Sequence, residues 1–260
     1  MRFLQTYYSF STDEDPMFDK AGFLSPEFHW ITMAISCLLL KQHYGHVTLY
    51  CNSTAKKVVE ELCIPYDQIV TIPNIMEGYS GYELWALPKL YTYSEQHEPF
   101  LHVDCDFLLY DCLPDSFWKA DLFAQNIEYD DQLYNRKCID RFIQVGGKIP
   151  NFADIELKNK IISVANAGVL GGNDVKFIQY YTEQAYRFIY NNDRILKLNH
   201  DGFINSVYEQ LFFYCLAQKY NKTISYCTEG EKLSTLFDWM NLDMSCLKKH
   251  GYCHMLGNIK

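Results

Sequence analysis

A chain of 260 residues with 48% hydrophobic side chains can bury a sizeable core, which excludes a disordered protein and bounds the architecture at one large domain or two closely joined ones. Its 23 lysines and arginines stand against 32 acids, and the formal charge of −9 excludes a nucleic-acid footprint and attraction to an anionic membrane, leaving room only for a local basic pocket. Ten cysteines without a CxxC pair or a repeated spacing read as reduced; no signal-like stretch opens the chain, and the longest apolar helical run, Trp30–Leu40, is shorter than the ~20 residues of a bilayer span, so a cytoplasmic protein is expected.

The first hundred residues alternate strand-like and helix-like patterns. "RFLQTYYSF" from Arg2 reads as a strand, and the next segment opens a helix with Ser25 as cap and Pro26 at the first helical position, closing at Gly45. "HVTLYCN" is a second strand, "STAKKVVEELCI" an amphipathic helix, "DQIVTIP" a third strand and "YELWALPKLYTYSEQ" a helix that Pro88 kinks or interrupts. The run from Phe100 to Asp111 is the fourth strand. Strands spaced by helices of this length imply right-handed crossovers and a parallel sheet covered on both faces.

Residues 115–160 break the alternation with mixed charge, Gly146, Gly147 and Pro150, which reads as an excursion between core elements. "IISVANAGVLGG" returns as a buried strand ending in small residues. Helices are expected over "DVKFIQYYTEQAYRFIYNN" and from Asp201 to Lys219, then a strand at "TISYC". The 21 tyrosines and 17 phenylalanines fit first an aromatic core with surface tyrosines; carbohydrate binding is one setting where surplus aromatics help, and they leave room for a dimer interface.

Asp104 and Asp106 stand out because they interrupt an apolar run. On a strand they would share one face, a costly arrangement for like charges unless a cation lies between them. The plain alternative is one aspartate in a turn and the other in water. Hard oxygen ligands favour magnesium or manganese, ions that bridge carboxylates to the phosphates of a nucleotide, and the carboxyl end of a strand in an α/β sheet is where ligands bind. At the other end of the chain lies "HMLGNIK". It is either a solvated tail or a second part of the same site, with His254 adding an imidazole suited to manganese, Gly257 admitting a phosphate to the backbone and Lys260 supplying a point charge.

"HVDCDFLL", "NAGVLGG", an "EQ" pair within a helix and a terminal H-x-x-G-x-x-K, in that order, resemble the motifs of GT-A glycosyltransferases, most closely the glycogenin-like retaining enzymes of glycosyltransferase family eight. The resemblance implies one GT-A domain over residues 1–260, a Rossmann-like mixed α/β fold with a nucleotide-binding half (1–114) and a donor-sugar and acceptor half (115–260). It implies that Asp104, Asp106 and His254 ligate Mn2+ or Mg2+, and that Gly257 and Lys260 grip the diphosphate of a UDP-sugar. Asn166, Ala167 and Gly168 would line the donor-sugar pocket, with Gly171 and Gly172 left as turn residues. Glu209 and Gln210 take the place of an Asp-Gln pair beside the reacting sugar, so the acid reaches one methylene further than in the family and its role is open between binding sugar, positioning acceptor and stabilising positive charge. Lys89 falls where the family carries a basic residue near the donor, against the alternative of a solvated surface lysine. Tyr7 and Tyr8, with Gln5 and Thr6, end the first strand where base and ribose contacts are placed, although core packing suits either tyrosine.

The implied activity is metal-dependent transfer of a sugar to a glycan or other hydroxyl acceptor, with the anomeric configuration retained. The Pro-Trp often found after the terminal lysine is missing, and a tail that orders on donor binding is expected to act as a lid. Two other readings compete. A nucleotidyltransferase shares paired carboxylates and a Rossmann-like sheet but opens with a glycine-rich basic loop, which "TYYSFSTDEDP" is not. A binding module for nucleotide-sugars or glycans would keep the fold without turnover.

Overall fold

The computed structural model describes residues 1–10, 15–79, 84–130, 135–198, 202–228 and 250–255. The first half runs β1 (Arg2–Tyr7), α1 (Pro26–Tyr44), β2 (Val47–Cys51), α2 (Ser53–Glu61), β3 (Gln68–Thr71), α3 (Leu87–Ser94), β4 (Phe100–Val103) and β5 (Phe107–Leu109). There follow β6 (Leu122–Ala124), β7 (Ile127–Asp130), α4 (Asn135–Gln144), α5 (Asp154–Leu157), β8 (Ile162–Ala165) and β9 (Val169–Gly172). Then come α6 (Val175–Asn191), α7 (Asp193–Leu198), α8 (Ile204–Ser206), a π-helical turn (Val207–Leu211), α9 (Phe212–Lys219), β10 (Ile224–Tyr226) and β11 (Tyr252–His254).

The central sheet has seven strands in the order β10-β6-β9-β4-β1-β2-β3, parallel except for β9, which runs antiparallel to both neighbours. Alternation along each strand splits the core in two. Leu4, Phe100 and Leu170 face α3, α6 and α9, while Phe3, Leu101 and Val169 face α1 and α2. Ser25 caps α1 through its side chain as the sequence predicts, and Asn52 does the same for α2. Among the described residues no helix is long and apolar enough to cross a membrane.

Four details differ from the sequence reading. The Phe100–Asp111 run is two strands: β4 stays in the central sheet, and β5 leaves it to pair with β11, so Asp104 and Asp106 lie on the turn between them. "IISVANAGVLGG" is likewise two strands in different sheets, with Asn166, Ala167 and Gly168 between β8 and β9. Gly171 and Gly172 are not turn residues. They sit in β9, where a Cβ on Gly172 would come 2.5 Å from the Asp121 carbonyl and one on Gly171 would strike that of Phe100, so only bare backbone fits between β4 and β6. Pro88 neither kinks nor interrupts α3 but lies in its first turn, where no amide hydrogen is needed.

The chain leaves β1 toward β2 and β3 on one side, and β4 lies on the other. Ligands in open α/β sheets bind at the carboxyl ends beside such a reversal. Asp104 begins there.

Candidate metal centre

The Asp104–Asp106 turn is braced from below. The Phe107 amide donates to the Asp104 carbonyl at 3.0 Å, and the Asp104 amide donates to the Gly168 carbonyl at 2.8 Å. Gln5, fully buried on β1, donates through Nε2 to the Asp104 carbonyl at 3.3 Å and to Ser36 Oγ at 2.8 Å. Ser36 in turn donates to the Phe107 carbonyl at 2.6 Å, and the Tyr66 hydroxyl donates to Gln5 Oε1 at 2.7 Å. Both ends of the turn are therefore held by one buried polar chain rooted in β1 and α1, and every member is satisfied.

Pairing of β11 with β5 solves the distance problem in the sequence. His254 stands opposite Phe107, immediately after the turn, and the Met255 amide donates to the Asp106 carbonyl at 3.0 Å. The imidazole Nε2 then lies 3.2 Å from Asp106 Oδ1 and 4.0 Å from Asp104 Oδ2. One donor atom from each of the three residues falls within 4.8 Å of the others, with His254 buried beneath the two half-buried carboxylates. On its far side His254 Nδ1 is 2.7 Å from Gln125 Oε1. An amide oxygen only accepts, so this bond assigns the proton to Nδ1 and turns the Nε2 lone pair toward the carboxylates. Three atoms that converge in this way could hold a cation, and two carboxylate oxygens with an imidazole nitrogen suit manganese or a similar divalent ion.

Behind the turn sits a cation that the protein supplies. Lys89 is buried, and its ammonium lies 2.8 Å from Asp104 Oδ1, 2.9 Å from Glu209 Oε1 and 3.0 Å from the Ala167 carbonyl, one partner for each proton. Burial alone would lower its pKa, but the carboxylates of Asp104 and Glu209 outweigh that and hold it above the ordinary lysine value. Burial pushes the Asp104 carboxyl up, opposed by Lys89 and reinforced by Asp106. Glu209 is pushed up to about 7 by burial, again against Lys89. Tyr93 donates to Glu209 Oε1 at 3.1 Å, whereas Glu209 Oε2 and Gln210 Oε1 are buried without a hydrogen-bond partner among the described residues, which leaves them for a ligand hydroxyl or water. His102 packs beside this cluster with Nδ1 3.9 Å from Asp104 Oδ1, and burial holds it neutral.

The Asn166–Gly168 loop closes the other side. Asn166 Oδ1 accepts from the Gly168 amide at 2.8 Å and its Nδ2 donates to Glu128 at 2.6 Å, which fixes the loop as a tight turn. A Cβ on Gly168 would collide with Gln125 Oε1 and with the His254 ring, 2.6 Å from Nδ1.

Asp104, Asp106, His254, Lys89, Glu209 and the 166–168 loop are thus gathered at one end of the sheet. Lys89 is not the solvated surface lysine offered as its alternative. Tyr7 is committed elsewhere: its ring packs on Trp30 and His29 and its hydroxyl donates to Asp19 at 2.5 Å, so Tyr8, half-buried beside Asn74, is the one with a face to present. Gly257 and Lys260 lie outside the described residues, as does most of the tail expected to act as a lid. Sequence reasoning missed Gln125, Ser36 and Tyr66, and gave Gln5 no bracing role. Gln125 and Gln5 carried a signal as amides inside otherwise apolar strand-like runs; Ser36 and Tyr66 carried none.

A protein-family model matches the chain over residues 1–260. The chain belongs to DUF6734, a family of unknown function. No curated protein matches it. Solved structures similar to it include the galactosyltransferase LgtC in complex with donor and acceptor sugar analogues, at 12% identity and a TM-score of 0.41 over 80% of this chain and 70% of that one. Mouse xyloside xylosyltransferase 1 in its apo form aligns with 100% of this chain and 98% of its own at 11% identity and a TM-score of 0.49. The glycosyltransferase GlyE of Streptococcus pneumoniae TIGR4 aligns with 80% of this chain and 43% of its own at 10% identity and a TM-score of 0.38.

Proposed function

We propose that this protein is a metal-dependent glycosyltransferase that moves a sugar from a nucleotide-sugar, a UDP-sugar by the motif resemblance, to a hydroxyl acceptor with retention of configuration. The observation that carries the reading is the convergence of Asp104, Asp106 and His254 within 4.8 Å at the carboxyl end of β4. Those three side chains would hold a divalent ion, which would supply positive charge to a bound diphosphate. The residues around them divide the remaining work. Gln125 keeps His254 in the tautomer that ligates, Lys89 holds Asp104 from behind, and Gly168 leaves room for a sugar to approach the Ala167–Gly168 backbone.

In the transfer, the acceptor oxygen forms the new bond to the anomeric carbon as the bond from that carbon to the phosphate oxygen breaks. The bonding pair leaves with the diphosphate, and the acceptor proton passes to the departing phosphate oxygen. Glu209 is poorly suited to act as a covalent nucleophile, because burial raises its pKa to about 7, leaving much of it protonated near neutrality, and Lys89 and Tyr93 hold it in place through Oε1. This favours attack from the same face over a covalent intermediate. Glu209 Oε2 and Gln210 Oε1 remain as acceptors for sugar hydroxyls.

The test is a thermal-shift panel of UDP-, GDP- and CMP-sugars with and without manganese, followed by measurement of nucleotide release. A manganese-dependent shift with one nucleotide class, with slow hydrolysis of the donor, supports the reading, and Asp106→Asn should abolish the shift. A shift without any release would mark a binding module. No manganese-dependent shift with any nucleotide-sugar refutes the proposal.

A further inference from the structure

Helix α1 turns an apolar face to solvent that no described residue covers. Its inner side packs Trp30, Met33, Cys37 and Leu40 into the core. Between Phe28 and Leu38, every residue that reaches solvent is also apolar: Phe28, Ile31, Ala34, Ile35 and Leu38. The four large ones are 58%, 55%, 40% and 52% exposed. Leu24, just before the cap, extends the row at 78%. A surface helix ordinarily turns charges to water on this side. Here the first polar side chains that reach solvent are Glu27 at one end and Lys41 and Gln42 at the other, and Lys41 is already paired with Asp67 at 2.8 Å.

We propose that this face is the interface of a homodimer, formed by packing α1 of one copy against α1 of a second. The spacing of Phe28, Ile31, Ile35 and Leu38 alternates three and four residues, the pattern whose side chains interdigitate with those of another helix. At roughly 100 Å² for each half-exposed side chain of this size, the row offers about 500 Å² per copy and about 1,000 Å² for a pair, the lower bound for a specific interface. Ala34 at the middle lets two helix axes approach. In an antiparallel pair Ile31 meets the partner's Ile35, and the arrangement repeats itself about a twofold axis.

Charge argues for a second copy over other occupants. A bilayer-seated helix is flanked by several lysines and arginines, whereas this row is bordered by Glu27, with Lys20 beside it, and by an already paired Lys41, on a chain of net charge −9. The row carries no charge pattern by which to select a different protein. Two copies need only the same uncharged surface twice. Because both carry −9, they repel at long range, so salt should tighten the dimer instead of weakening it.

The test is sedimentation velocity of the full chain from 0.5 to 50 µM, at low and high sodium chloride, on wild type, Ile31→Glu and Ile35→Glu, with flotation on neutral phosphatidylcholine vesicles in parallel. The proposal expects a dimer in wild type, a dissociation constant that falls with salt, and at least a 100-fold weakening in either variant. Both positions face solvent, and unchanged circular dichroism and melting temperature would show that the variants fold. A monomer throughout, a dimer unmoved by both substitutions, or a monomer that floats with vesicles through Ile31 each overturns it. Donor binding is read separately, so this interface can fail while the transferase reading stands, and the reverse.

Discussion

Replacing Lys89 with methionine removes the cation placed between Asp104 and Glu209 while keeping the length of the buried stem. In wild type its ammonium makes contacts of 2.8, 2.9 and 3.0 Å, and Glu209 has no solvent exposure. Breaking a buried pair by deleting one partner costs about 3–5 kcal/mol, because the remaining charge has nowhere to go. Glu209 can relieve part of that by taking up a proton, which makes the cost depend on pH. Unfolded, the carboxyl ionises near 4.5; folded, near 7. Between those values the native state holds a proton that the unfolded state has lost, so stability falls as pH rises, by up to about 1.4 kcal/mol per unit. Without Lys89 the folded value climbs further, and the fall continues above pH 7. The melting temperature of Lys89→Met in EDTA should therefore lie close to wild type near pH 5.5 and drop on the order of 10 °C below it by pH 8 to 8.5. A gap that stays constant across this range would show that Glu209 does not titrate against Lys89 and would refute the reasoning.

Gly168→Ala should weaken manganese binding about 10- to 100-fold by calorimetric titration, since the new methyl must displace either Gln125 or the His254 ring that it holds; unchanged affinity would mean that the imidazole does not ligate. Ser36→Ala takes away the hydrogen bond to the Phe107 carbonyl and one partner of Gln5, and should cost about 1–3 kcal/mol in denaturant unfolding with a parallel loss of manganese affinity. A loss of stability with no change in metal affinity would reduce the Gln5–Ser36 chain to a structural role. On the acid side, the hydrogen bonds from Thr223 hold the Asp121 carboxyl below its usual range, and those from Lys222 do the same for Asp174. Their stabilisation is present above pH 4 and is lost as pH falls through the depressed values, so Asp121→Asn should lower stability at pH 7 by more than it does in acid, as read from urea midpoints.

Regular elements were legible where local chemistry decides them. The capped start of α1, the glycine that ends it and the amphipathic pattern of α2 follow from nearest neighbours, and so do β1 to β3. The Asp104–Asp106 turn was not legible as a turn. It lacks glycine and proline, and the apolar residues on both sides belong to buried strands, so the run has the composition of one strand while the chain reverses inside it. The inference from shared facing to a shared cation singled out two residues that do lie together with His254, but through a geometry that does not occur. Gly171 and Gly172 misled in the opposite direction, because glycine marks both a turn and a strand squeezed between two others. The placement of His254 depends on β11 pairing with β5, a contact between distant segments that no local periodicity encodes. It was reached only through the order of motifs.

The two oxygens of Asp104 explain why Lys89 belongs to the centre even though it ligates nothing. Oδ1 is committed to Lys89 at 2.8 Å, while Oδ2 is the oxygen nearer His254, at 4.0 Å. Without Lys89 the carboxylate could rotate or use both oxygens on one ion, and a bidentate grip suits larger ions such as calcium better than manganese. With one oxygen held from behind, Asp104 can offer only the other. The same lysine is held in place by Glu209, which makes the acid of the "EQ" pair the anchor of an anchor, and its extra methylene relative to aspartate supplies the reach to Lys89 from the π-helical turn. On this argument Glu209→Asp should leave the protein folded yet let Asp104 move, shifting metal preference from manganese toward calcium in competition titrations. If the preference stays where it is in wild type while binding persists, Lys89 does not set the denticity of Asp104.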